Sequence, residues 1–411
     1  MITTTTFFSH VLDDPLYVGD GMYVSVVTSG KVNNVGQTRD VSKDAAAKAG
    51  LIKIDTNSKT SQFIDFNTLS EPGDRYRGAV EVDGVVYVMR TQKKHVDSIV
   101  RLAAVNLKTN LVEMIEERAV SIHGTETPKT FCGHFNFGRP IIVGKKIVYP
   151  PLNSGVAIVF DTVTRSFVAH DVPDTYSSIW STHLPETNEV VFFPYGNKTT
   201  ELLILNLTTN THSFKQAPVA STFYSAFTHN GKAIGVPYIM GEKTNTHFWI
   251  YDGSAVSAIE YVPSSGVPSA GFKYGSVDNN IFYTHTCAEF NNELIEFNLD
   301  ACTIKNIITD LPLGAKPISI NGNTYLFPSI QNTAMLDAPS SVYKLENGQV
   351  VKEFDLPTNN ISYGPINSNQ GSVLFVPYKF DLNKGKLDSV LTLVDLESKT
   401  ANTIDISLEL E

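Results

Sequence analysis

Apolar positions along this chain fall into short runs separated by turn residues, and the runs recur. In unit after unit an aromatic residue precedes a small one, and a short segment then leads to Asn-Gly or Asp-Gly. An apolar run follows, often ending in Pro, and a second apolar run closes on Asp or Asn with Thr shortly after. One copy begins at Tyr224-Ser225, passes Asn230-Gly231, reaches Val236-Pro237 and ends its second run at Tyr251-Asp252. Short apolar runs bounded in this way predict β-strands joined by tight hairpins. The closing Asp or Asn recurs at Asp55, Asn106, Asp161, Asn206, Asp252, Asn298 and Asp395, and the seventh unit turns at Glu346-Asn347-Gly348 instead. Its spacing, about 45 to 55 residues, is that of a four-stranded sheet repeat.

The middle strands, such as Leu202 to Leu207, are nearly continuous apolar runs, as expected of sheets covered on both faces. Outer strands such as Thr403 to Ser407 alternate, which suits a solvent-facing edge. Pro150, Pro194, Pro237, Pro328 and Pro377 end the first apolar run, because Pro cannot donate to a ladder. This period and turn chemistry resemble the broad kelch-like and NHL-like β-propellers over almost the whole chain. The resemblance is one of fold: the kelch Gly-Gly pair and the WD40 signature are absent, so no functional residue is carried over. The expected fold is an all-β, single β-propeller of about eight four-stranded antiparallel blades, or seven if the first unit is irregular. The approximate blades are 9–66, 76–117, 133–172, 178–216, 222–262, 272–310, 315–356 and 362–408. Residues 1 to 16 complete or extend a blade. A loop insertion at 29–50 carries helix signals: a cap at Asp40 or Ser42, helix formers from Lys43 to Ala49, and Gly50 as terminator.

The repeat sorts connections into tight turns at one end and longer, variable loops at the other. Long loops on a repeated frame are the usual place for recognition. Each innermost strand opens with an aromatic or cationic residue before a small one: Arg77-Gly78, Phe137-Gly138, Trp180-Ser181, Tyr224-Ser225, Tyr274-Gly275, Lys316-Pro317 and Tyr363-Gly364. In register these residues form a collar at the channel mouth on the loop-bearing face. Its functional reading is a surface that stacks on a ligand; its structural reading is rings wedged between blades. Arg77 and Lys316 break the aromatic rule and are the stronger candidates for ligand contact.

The net charge is −10, and no Lys/Arg stripe interleaves with aromatics, so nucleic acid is not the expected partner. The three cysteines, Cys132, Cys287 and Cys302, lack metal-ligand spacing, although Cys287 and Cys302 could pair across one hairpin. No apolar stretch reaches the roughly 18 residues of a membrane span, and Met1 to Phe8 has no signal-peptide pattern. A cytoplasmic or virion-associated location is therefore expected. The histidines are dispersed, with His134, His183, His229 and His285 out of common register, and nothing calls for a metal or cofactor. Asp74, Asp174, Glu289 and Asp337 are the acids on the loop-bearing face, but nothing in the sequence pairs them. The expectation is a non-enzymatic recognition or assembly scaffold for a protein or glycan partner, for instance a structural or attachment component of a viral or phage particle. The alternative is a carbohydrate-active hydrolase or lyase with acids at the mouth.

Overall fold

The computed structural model describes residues 7–12, 15–32, 48–66, 75–91, 100–117, 137–196, 199–238, 246–264, 272–286, 293–309, 311, 315–328, 341–356, 367–369, 372–375, 380–381, 386–387 and 390–405. Among them every regular element is a β-strand. The strands build eight antiparallel sheets in chain order, with one two-stranded ribbon inserted in the last. The eight-unit expectation is borne out. Phe7–Leu12 pairs with the far end of Met22–Val32, and Leu16–Gly19 pairs with its near end, so both lie along one edge of that strand. The N-terminal residues thus extend the first sheet. No helix is long and apolar enough to cross a membrane among the described residues.

In the seven units that have it, the closing Asp or Asn forms an Asx-type turn. Asp161 Oδ1 accepts from the N–H groups of Val163 and Thr164, both at 2.9 Å, and Asn206 Oδ1 accepts from Thr208 and Thr209 at 3.0 and 2.9 Å. Asp55, Asn106, Asp252 and Asp395 do the same, and Asn298 accepts from Ala301. The side chain replaces the backbone partner that the turn removes. These bonds hold the Asp252 carboxyl down at about 2. The Asn-Gly and Asp-Gly turns adopt the positive φ that two-residue hairpins demand, as at Asn230 (45°) and Gly231 (71°).

The helix expected in the first insertion is corrected in part. Lys48, Ala49 and Gly50 belong to the strand Lys48–Asp55 and pair with Ser29, Thr28 and Val27; residues 43–47 lie outside the described residues. Helix propensity is a weak prior that a sheet partner overrides. Gly50 is there for close approach, not as a helix terminator, since a Cβ would stand 2.4 Å from both the Ile64 carbonyl oxygen and the Phe63 ring. Cys302 is a free thiol, so its pairing with Cys287 is not made. Its Sγ donates to Leu299 O at 3.3 Å and accepts from Lys232 Nζ at 3.6 Å.

By its packing the chain divides into two compact units, one of residues 1–90, 101–116 and 325–411, the other of 91–100 and 117–324. In the first unit, Val24, Leu51 and Ile64 of the first sheet pack on Val86, Val88 and Val105 of the second. Tyr23, Ile52 and Ile54 pack on Ile404 of the last sheet. In the second unit, three clusters join the third sheet to the fourth, the fourth to the fifth and the fifth to the sixth. Each middle strand contributes alternate residues to the clusters on its two sides, which is why it reads as a continuous apolar run. Lysines tie neighbouring sheets through the Asx turns: Lys53 Nζ donates to Leu107 O at 2.9 Å, and Lys146 Nζ to Leu207 O at 3.4 Å.

Candidate functional site

Strand direction decides which residues share the loop-bearing end. Phe137 bridges Pro151, Ser178 pairs with Pro194, and Phe223 pairs with Pro237. The opening of each first strand therefore lies beside the Pro that ends the second. In the fourth, fifth and sixth sheets the first strand slips register at that place: between Ser178 and Trp180, Phe223 and Ser225, and Phe272 and Gly275. A bulge leaves a residue outside the ladder and re-aims its side chain. In the fifth sheet the skipped residue is Tyr224 itself.

The second unit gathers these side chains into one cluster. Leu152, Ile179 and Tyr195 form its buried floor, and Trp180, Tyr224 and Tyr238 pack on it half-buried. The Tyr224 ring lies 4.8 Å from Tyr238 and 6.0 Å from Tyr195, and Tyr195 stacks on Tyr238 at 6.2 Å. Tyr195 and Tyr238 each follow a strand-ending Pro. Their backbone N–H groups donate to Ser177 O at 2.7 Å and Thr222 O at 2.8 Å, which pins each tyrosine to the segment entering the first strand of its own sheet.

Arg139 supplies positive charge at one side. Its backbone N–H donates to Ile179 O at 2.8 Å, and its guanidinium carbon lies 4.7 Å from the Trp180 ring centroid. Such stacking contributes about 0.5–2 kcal/mol, more where water is excluded. Gly138 makes the approach feasible, since a Cβ there would stand 2.6 Å from Ile179 O. Lys316, in the strand Ala315–Ile320, is only 6 % exposed. Burial, with the Arg139 charge second, holds its pKa well below the usual lysine value.

Of the collar residues, the structure brings Trp180 and Tyr224 into one cluster and joins Lys316 to it electrostatically through Arg139. Phe137 is buried, 6.2 Å from Tyr149, and sits on an isolated bridge ahead of the short strand Ile141–Val143; Pro140 intervenes. Arg77 is half-buried on Arg75–Val82 in the other unit. Tyr274 lies on the bulged strand Phe272–Asp278 but its side chain is outside the description, as is all of Tyr363. Of the four candidate acids Asp174 is exposed, and Asp74, Glu289 and Asp337 lie outside the described residues. No group of three metal-ligating side chains occurs among the described residues. The site residues that sequence reasoning missed are Arg139, Tyr195 and Tyr238. A recurring Pro-Tyr, at Pro194-Tyr195, Pro237-Tyr238 and Pro377-Tyr378, was the available signal for two of them.

No family model matches the chain, and no curated protein matches it. Solved structures resemble it in fold. A dihydro-heme d1 dehydrogenase, NirN, determined in complex with DHE, aligns over 96 % of this chain and 78 % of its own, at 12 % identity and a TM-score of 0.56. One of two prolyl endopeptidases aligns over 95 % of this chain and 54 % of its own, at 12 % identity and a TM-score of 0.49. The β-propeller domain of the Trilobed protease from Pyrococcus furiosus aligns over 84 % of this chain and 95 % of its own, at 12 % identity and a TM-score of 0.44. The fold class is an all-β propeller of eight antiparallel sheets.

Proposed function

We propose that this chain is a non-enzymatic recognition module that binds a glycan through the collar of its second unit. The observation that carries this reading is the mutual packing of Trp180, Tyr195, Tyr224 and Tyr238 at the loop-bearing end of adjacent sheets. Sugar rings present flat C–H faces, and half-buried aromatics with polar edges suit them: one end of the side chain is apolar and the other wet. The strands hold these rings in place before any ligand arrives, so little ordering cost falls on binding. A structural or attachment role on a viral or phage particle is the assembly context this reading would serve.

The test is a glycan array followed by titration calorimetry on the best binder. Tyr224→Ala and Trp180→Ala should each weaken binding at least tenfold, about 1.4 kcal/mol, with circular dichroism unchanged. An array without a binder, or full affinity in both variants, would overturn the proposal.

A further inference from the structure

Independently of the glycan reading, we propose that His170 and His212 form a two-histidine site for a borderline divalent transition-metal ion, set between the outer strands of the third and fourth sheets. His170 lies on the strand Ser166–Asp171 and His212 on the strand Thr211–Ser221, each the last strand of its sheet. Their ring centroids stand 6.1 Å apart at an interplanar angle of 83°. His170 is only 7 % exposed, and its Nε2 is buried with no hydrogen-bond partner among the described residues. A buried ring nitrogen left unpaired costs free energy in either tautomer, so the position favours an incoming partner. Imidazole is the commonest protein ligand for metal ions.

The spacing suits one ion. An imidazole nitrogen binds zinc at about 2.0–2.1 Å, so two rings that share an ion have their centres roughly 5–6.5 Å apart. His212 is exposed, so its ring can turn toward the ion and leave a path for it to enter. Its strand is held from behind. Phe214, two residues on and so on the same face of the strand, stands edge-on to His212 at 6.4 Å and to Tyr176 at 5.5 Å. Tyr176 belongs to the buried cluster that joins the two sheets. The donors decide the metal. Two imidazoles favour Cu²⁺, Ni²⁺ or Zn²⁺ over Mg²⁺ and Ca²⁺, which take oxygen ligands, and Cu²⁺ binds most tightly in that series. Water completes the coordination, since no third His, Cys, Asp or Glu joins the pair among the described residues. An ion held by both rings ties two outer strands together only in the folded chain, so it stabilises the second unit.

The test uses the full chain, untagged and stripped of metal by a chelator. Cu²⁺, Zn²⁺ and Mg²⁺ are titrated calorimetrically at pH 7.5, with glycine present to compete for loosely held ions. The expected result is one Cu²⁺ per chain, bound at least tenfold more tightly than Zn²⁺, and no binding of Mg²⁺. Electron paramagnetic resonance of the Cu²⁺ form, recorded without glycine, should show two nitrogen ligands. Zn²⁺ should raise the urea midpoint read by tryptophan fluorescence. His170→Gln and His212→Gln should each weaken Cu²⁺ binding at least tenfold and abolish the Zn²⁺ effect. Should the variant at buried His170 not fold, His212→Gln, at an exposed position, carries the test, and its Cu²⁺ spectrum should show one nitrogen ligand. No Cu²⁺ bound, a single nitrogen ligand in the wild type, or full affinity in either folded variant would overturn the site. None of these outcomes involves the collar residues, so the glycan reading stands or falls separately.

Discussion

Replacing Gly138 by alanine tests whether close approach between neighbouring sheets builds the site. The new Cβ would stand 2.6 Å from Ile179 O, 2.7 Å from its Cα and 2.8 Å from its carbonyl carbon. These are backbone atoms inside a paired strand, so no rotamer change relieves the clash. The segments must separate, and the Arg139 N–H to Ile179 O bond, 2.8 Å long, is lost or stretched. Overpacking costs roughly 1–3 kcal/mol, and a stranded buried backbone partner adds about 1–3 kcal/mol. The sum is about 2–6 kcal/mol, with Arg139 displaced from the Trp180 ring. Urea unfolding followed by intrinsic fluorescence reads the correct region, because both tryptophans, Trp180 and Trp249, lie in the second unit. Amide hydrogen exchange at Arg139 reports the lost bond directly. Gly144→Ala is the control on the same sheet: nothing lies within 4 Å of its Cβ, and its φ of 61° alone should cost about 1–2 kcal/mol. If Gly138→Ala unfolds at the wild-type midpoint with Arg139 still protected, the close-approach argument is wrong.

Two further predictions concern pH. Asp252→Ala removes the acceptor of an Asx turn. The wild-type carboxyl titrates at about 2 because the turn's hydrogen bonds favour its ionised form, so its contribution is present above pH about 4 and lost as pH falls toward 2. The nominal shift corresponds to about 2 kcal/mol, which screening at this exposed turn reduces to about 1 kcal/mol or less. The variant's deficit in urea should therefore be present at pH 7 and fade between pH 4 and 2.5; a deficit independent of pH would refute the assignment. His170 is buried 6.1 Å from the His212 ring, and burial first, then the His212 charge, pushes its pKa down, against smaller opposing effects of Asn210 and Asp171. The unfolded chain then binds the proton better, so stability falls as pH drops below about 6.5. His170→Gln should flatten the unfolding midpoint between pH 6.5 and 5, and an unchanged slope there would count against the argument.

Much of this protein was legible in its sequence because its dominant signals are local. A strand that is apolar on both faces, an Asn-Gly turn, and an Asp with free backbone N–H groups two and three residues on need no distant partner to be recognised. Asp161 and Asn206 form the turns their neighbours imply. The count of eight units and the partition into a tight-turn end and a loop-bearing end follow from the same repetition. Lys48 and Ala49 show the limit. Their local preference is helical, yet the partner strand Met22–Val32 satisfies their backbone and wins.

The candidate site was half legible. Aromatic-small pairs announced Trp180 and Tyr224 because each unit repeats them. The bulges that turn those side chains aside depend on register between strands and leave no residue-level mark. Arg139 carries no sequence signal at all; it reaches Trp180 because Gly138 lets the segment ahead of the strand Ile141–Val143 come within hydrogen-bonding distance of Ile179. Periodicity and turn chemistry are properties of neighbours along the chain, so the sequence alone determined the strands, the turns and the sheet repeat. Burial beside a like charge is a property of neighbours in space. Only the tertiary structure decided that Lys316 is buried where the Arg139 charge lowers its pKa, and that four aromatic side chains from adjacent sheets share one cluster.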